Sequence, residues 1–327
     1  MPKRRGDFFR LWGRTCLALA FVSYSLAAAS LIWDHDLKFS DDFGPSSQTP
    51  QWSNGALITL ERWGTDAALV RTFDRQGVEL LPLTFQIPEA TITGALHIAR
   101  GSDGTIAACG CALGRAGRRV PYVALIAPSG QSVQVIRTDP YTPYLVTIAP
   151  DGTIWAVGEE VGDRKDDTRI LNVKVVRHFD KAGKEIGAYI PRSSLASPDL
   201  LLDGHLAASR GRICWYPGGP NQLGSSEYVE ILEDGTITRS PPTPLMEHEV
   251  TTGMAVTDDA GTFLGTWNLQ NGKWGILSLD KTQGTWVRVK IPPELASSPF
   301  STLKGADGNN LVLTNGRGRL TFMTARP

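Results

Sequence analysis

Residues 144–157 read Tyr144-Leu145-Val146-Thr147-Ile148-Ala149-Pro150-Asp151-Gly152-Thr153-Ile154-Trp155-Ala156-Val157. Two short runs rich in β-branched and aromatic residues flank an Asp-Gly pair. Such runs favour the extended conformation, and Asp and Gly tolerate the positive φ that a tight hairpin turn demands. The stretch therefore predicts a β-hairpin. A second hairpin follows: Val173-Lys174-Val175-Val176-Arg177-His178-Phe179, a turn at Asp180-Lys181-Ala182-Gly183, then Glu185-Ile186-Gly187-Ala188-Tyr189.

Both turns recur along the chain. Turns of the first kind carry glycines at 55, 104, 152, 211, 261 and 308, at steps of 49, 48, 59, 50 and 47 residues. Turns of the second kind carry glycines at 77, 130, 183, 235 and 284, at steps of 53, 53, 52 and 49. Two interleaved series with one period mean a single unit of two hairpins, and four strands in about 50 residues is a propeller blade. The sequence thus predicts an all-β fold, a six-bladed β-propeller of four-stranded antiparallel blades over residues 51–327, preceded by one N-terminal hydrophobic helix. A seventh blade would need a cryptic unit in the 59-residue step. Such blades bury their faces only against neighbours. The apolar first hairpin is expected near the axis and the second, carrying Arg75, Lys181, Lys184 and Arg288, at the rim. After Gly308 only three strands remain, through Asn310-Leu311-Val312-Leu313 and Arg319-Leu320-Thr321-Phe322-Met323. Because an open edge is a liability, the fourth strand is expected from residues 36–43, around Leu37-Lys38-Phe39-Ser40.

The phrases Ala149-Pro150-Asp151-Gly152-Thr153-Ile154-Trp155-Ala156-Val157-Gly158 and His178-Phe179-Asp180-Lys181-Ala182-Gly183-Lys184 resemble the repeats of NHL-like and two-component-regulator-type propellers. The resemblance spans residues from about 50 to 327 at the level of the fold, and the blades around Gly211 and Gly261 depart from both phrases. It implies a binding scaffold, a protein-interaction module, or a lyase or hydrolase, and does not choose among them.

The N-terminus is different in kind. Lys3, Arg4, Arg5, Arg10 and Arg14 precede an uncharged apolar run over 16–33, and Asp34 and Asp36 follow it. That asymmetry retains the basic end in the cytoplasm and passes the remainder across the membrane. Residues 1–33 are read as a signal anchor, about 18 apolar residues being enough to span the hydrocarbon. The alternative is a signal peptide cut near Ala27-Ala28-Ala29, leaving a secreted or periplasmic protein. Residues 34–50 are then a linker with the ring-closing strand. Expected contacts are the membrane, through residues 14–33, and an envelope protein or glycan. Lys+Arg and Asp+Glu both number 33, a balance that argues against nucleic acid.

The sequence holds no nucleotide-, metal- or nucleophile-elbow signature, so no cofactor and no metal site are expected. Cys109-Gly110-Cys111 reads as small residues of an inner strand, not a zinc pair. The longer connections carry the candidates. Arg115, Arg118 and Arg119 form a basic cluster, with Glu159, Glu160, Asp163, Asp166 and Asp167 a blade later. Tyr141, Tyr144, Trp215 and Tyr216, with Asp139, offer an aromatic rim for a sugar or peptide. Glu247-His248-Glu249 sets an imidazole between carboxylates, the composition of a general base, and gives the catalytic candidates. The favoured reading is a membrane-tethered extracytoplasmic propeller that binds a protein or glycan. The alternative is a lyase or hydrolase with a metal or His/acid site at the mouth of the axis.

Overall fold

The computed structural model describes residues 30–39, 48–61, 65–160, 172–195, 204–218, 226–259, 261–296, 301–315 and 319–326. They form six antiparallel sheets, the blades of a propeller. Blade 1 is β2 (Gln48–Ser53), β3 (Ala56–Glu61), β4 (Ala68–Phe73) and β5 (Leu83–Phe85). Blade 2 has β7 (Ala95–Arg100), β8 (Ile106–Gly114), β9 (Arg119–Ile126) and β10 (Val133–Arg137), with the short β6 (Ala90–Ile92) also paired to β8. Blade 3 is β11 (Tyr141–Ile148), β12 (Ile154–Glu160), β13 (Lys174–Phe179) and β14 (Glu185–Pro191). Blade 4 is β15 (His205–Ser209), β16 (Arg212–Tyr216), β17 (Val229–Leu232) and β18 (Ile237–Arg239), and blade 5 is β19 (Glu249–Val256), β20 (Thr262–Asn268), β21 (Trp274–Asp280) and β22 (Thr285–Arg288). The expected six-bladed fold is thereby shown. The helical segments described are single turns at Arg115–Gly117, Arg192–Ser194 and Pro293–Ala296. The N-terminal helix is expected within residues 1–33; residues 1–29 lie outside the described residues, and Ser30 to Trp33 are strand instead.

Blade 6 joins the two ends of the chain. Its strands β23 (Ser301–Asp307), β24 (Asn310–Asn315) and β25 (Arg319–Arg326) are completed by β1 (Ser30–Lys38), antiparallel to β25. The closing strand anticipated from residues 36–43 is therefore present, but it starts earlier. Ser30 to Trp33, read above as the end of the apolar run, pair with Arg326 to Met323. The strand also grips both neighbours. The Leu31 amide donates to the Lys290 carbonyl of blade 5 at 3.2 Å, and Phe39 meets Phe73 of blade 1 edge to face at 5.3 Å.

Six apolar clusters hold the ring, and each lies between two adjacent blades. Alternation along β12 shows how. Ile154 and Ala156 pack against blade 2, while Trp155 and Val157 pack against blade 4. Successive side chains point to opposite faces, and here both faces are covered, so the strand reads as one apolar run instead of alternating. In β8, Cys109 faces blade 3 beside Ala107, and Ala108 faces blade 1. Polar ties reinforce the seams on the face that carries the hairpin turns: Arg75 pairs with Asp307 at 2.7 Å, and Gln134 donates to the Ala182 carbonyl at 2.8 Å.

Leu31 is buried in the seam between blades 5 and 6, whereas its neighbour Ile32 is 41% exposed. Leu31→Ala should lower the stability of the whole ring by about 2–5 kcal/mol. Ile32→Ala should change it by less than about 0.5 kcal/mol. Urea unfolding of the two variants checks this, and equal effects would mean that β1 does not clasp the ring.

Candidate functional site

The six inner strands β2, β7, β11, β15, β19 and β23 surround the propeller axis and line two adjoining spaces. The space towards the turns has a volume of about 470 Å³, and the chamber beyond it about 390 Å³. Gln51, Leu206, Met254 and Lys304 line both and so form the waist between them.

Backbone irregularity decides which side chains reach the chamber. The pairing of first and second strands slips by one residue at Ala95/His97, Pro143/Leu145, Thr251/Gly253 and Leu303/Gly305. A bulge leaves one residue unpaired and re-aims its side chain. The four residues so released are Leu96, Tyr144, Thr252 and Lys304, and all four line the chamber. Blade 1 is irregular between Gln48 and Gln51 and contributes Pro50, while blade 4 is regular and contributes Gly204 and His205. Close approach of neighbouring inner strands needs glycine. A Cβ on Gly253 would lie 1.8 Å from the Leu303 carbonyl oxygen, and one on Gly305, at φ +141, would lie 2.5 Å from that of Trp52.

The basic groups of the chamber come from alternate blades: His97 from blade 2, His205 from blade 4 and Lys304 from blade 6. Burial pushes the His97 imidazole down to about 4. Its Nδ1 accepts the Val146 amide at 3.4 Å, so the neutral ring carries its proton on Nε2. His205 falls to about 3, through burial first and then through the facing charges of Lys304 and His97. Lys304 is lowered to about 8 by burial. The Nε2 of His205 and the Oγ1 of Thr252 are buried without a hydrogen-bond partner. Among the described residues that line the chamber, none is an aspartate or glutamate.

The residues picked out from the sequence are dispersed relative to this site. Tyr144 alone of them lines it. Its hydroxyl donates to Glu159 Oε1 at 2.5 Å, and Arg192 holds the other carboxylate oxygen at 2.5 Å. Arg119 lies beside this group and donates to Cys111 Sγ at 3.4 Å. Arg115 and Arg118 instead line a separate cleft on blade 2 with Glu89 and Arg137. Tyr141 is core, its hydroxyl donating to the Val175 carbonyl at 3.1 Å. Trp215 and Tyr216 are also core, and the Tyr216 hydroxyl accepts the Ser226 amide at 3.3 Å. These three buried rings make no rim. Glu160 pairs with Arg177 at 2.6 Å, and Asp163, Asp166 and Asp167 lie outside the described residues. Exposed His248 meets Glu247 at 3.4 Å. Glu249 is buried and bound by Arg288; burial alone would raise its carboxyl, but the guanidinium holds it below the usual carboxylate range. His97, His205, Thr252 and Lys304 belong to no local motif of the sequence.

No family model matches the chain, and no curated protein sequence matches it. Solved structures of similar course include a luciferin-regenerating enzyme, with 12% identity, a TM-score of 0.49, and 89% of this chain and 95% of that one covered. Another is YjhT, at 12% identity and a TM-score of 0.49, covering 89% and 99% of the two chains. A third is the Pan2 WD40 domain of Neurospora crassa, at 11% identity and 0.47, covering 91% and 95%. The fold itself stands on the sheet order described above.

Since both imidazoles ionise below the ordinary histidine value of 6.5, the unfolded chain binds more protons than the folded one from about pH 4 to 6.5. Stability therefore falls as pH drops through that window. The double variant His97→Gln, His205→Gln should show a shallower fall in Tm between pH 7 and 5. An unchanged slope would mean that the folded chain protonates these rings freely.

Proposed function

We propose that this chain is a binding propeller held at the extracytoplasmic side of a membrane by its N-terminal apolar segment, and that it receives part of an envelope protein or glycan in the axial chamber. The observation that carries the reading is an axial chamber to which all six blades contribute, with His97, His205, Thr252 and Lys304 among its lining residues. The tether rests on the basic residues Lys3, Arg4, Arg5, Arg10 and Arg14 before the uncharged run that opens at Cys16, of which Ser30 to Trp33 belong to β1. Among the described residues no helix is long and apolar enough to cross a membrane, and the run up to Ala29 lies outside them.

The test is capture by the full chain, solubilised in detergent, of envelope proteins and cell-wall fragments. Thr252→Trp fills the chamber without touching the outer blades. Partners held by the wild type should be lost from this variant, with the Tm unchanged within a few degrees. Retention of the same partners would remove the axial reading. Recovery of the chain in the soluble fraction of unfractionated cells would remove the tether.

A further inference from the structure

The chamber has a chemical bias of its own. Lys304 carries a positive charge at neutral pH, and no aspartate or glutamate stands among the described lining residues to answer it. Behind the wall, the Glu159 carboxylate is engaged by the chamber residue Tyr144 and by Arg192. Across the waist on the turn side, Asp307 is held by Arg75, leaving Arg210 and Asp258 as the other charged groups there. His97 and His205 face Lys304 from the two other alternate blades, and Gln51, Tyr144 and Thr252 fill the positions between. A cation entering this ring meets the ammonium head on. A group with acceptor oxygens meets the Lys304 ammonium, with His97, His205 and Thr252 among the other residues of the wall.

Building on the axial binding reading, we propose that the chamber is an oxyanion site: a carboxylate or phosphate group on the bound partner sits between Lys304, His205, His97 and Thr252. Charge-assisted hydrogen bonds of this kind are about twice as strong as neutral ones. Binding is linked to protons with a definite sign. The anion favours the charged form of every group it touches, so it holds the proton on Lys304 and draws one onto the facing imidazoles. Affinity is therefore greatest below about pH 8, the value to which Lys304 is lowered in the free chain. It weakens above that by up to about tenfold per pH unit for one linked proton.

The experiment is calorimetric titration of the full chain in detergent, in buffers free of small oxyanions, with inorganic phosphate, succinate and neutral succinamide as probes at pH 6.5, 7.5 and 9. Phosphate and succinate distinguish the two sources of the group. Saturable binding of either is expected, with proton uptake read from the dependence of the heat on the buffer. Lys304→Met and His205→Gln should each weaken it by about 10- to 100-fold, and their circular dichroism should match the wild type. Unchanged binding in Lys304→Met, or tighter binding at pH 9 than at 7.5, overturns the inference. Succinamide bound as tightly as succinate, or Zn²⁺ bound in place of the anions, also overturns it. If succinamide binding is lost in Thr252→Trp, the axial reading survives while the oxyanion one falls. If no probe binds, the oxyanion site is refuted, and capture by Thr252→Trp decides whether the axial reading falls with it.

Discussion

Each blade of this protein is a thin sheet with two apolar faces and no means of covering either. Everything else in the molecule follows from that constraint. Ile154 and Ala156 on one side of a strand and Trp155 and Val157 on the other belong to different clusters, and each cluster is completed by a different neighbour. The six seams carry the burial, so there is no single central core to lose. Near the axis the seams are filled by small residues such as Ala107, Ala108 and Ala156, where neighbouring sheets converge. Farther out, where the sheets diverge, larger rings such as Tyr122, Tyr228 and Trp286 fill the space.

The same convergence makes the chamber. Six inner strands leave a space that no single blade could enclose, and bulges in blades 2, 3, 5 and 6 turn one side chain each towards it. The polar character of the site is thus a property of the ring as a whole. The chain has a formal net charge of zero, yet its axis gathers an ammonium and two imidazoles while the carboxylates are tied up elsewhere. Overall charge says nothing about such a local field.

The architecture was legible because the hairpin turns have chemistry of their own. Positive φ at Gly104, Gly152 and Gly183 requires glycine, and glycines at a steady interval reveal the repeat. The closing strand was legible from a missing partner, although its true start at Ser30 was hidden inside an apolar run. The chamber was not legible. His97 stands seven residues ahead of Gly104, His205 six ahead of Gly211, and Lys304 four ahead of Gly308. Turns of different length and inserted bulges shift each blade's count, so residues that meet in space share no offset in the sequence. Tyr141, Trp215 and Tyr216 misled for the opposite reason: their positions suggested loops, but apolar ring area drew them into the seams.

The clasp formed by β1 and β25 has a consequence for how the molecule comes into being. The ring's first described strand must wait for its last, because Leu31 and Phe39 find their pockets only when blades 5, 6 and 1 stand side by side. A nascent chain is therefore an open arc with two sticky margins, and it becomes a sealed circle in one terminal event. An interrupted product keeps those apolar margins bare, because the seams of blade 6 cannot form without both β1 and β25.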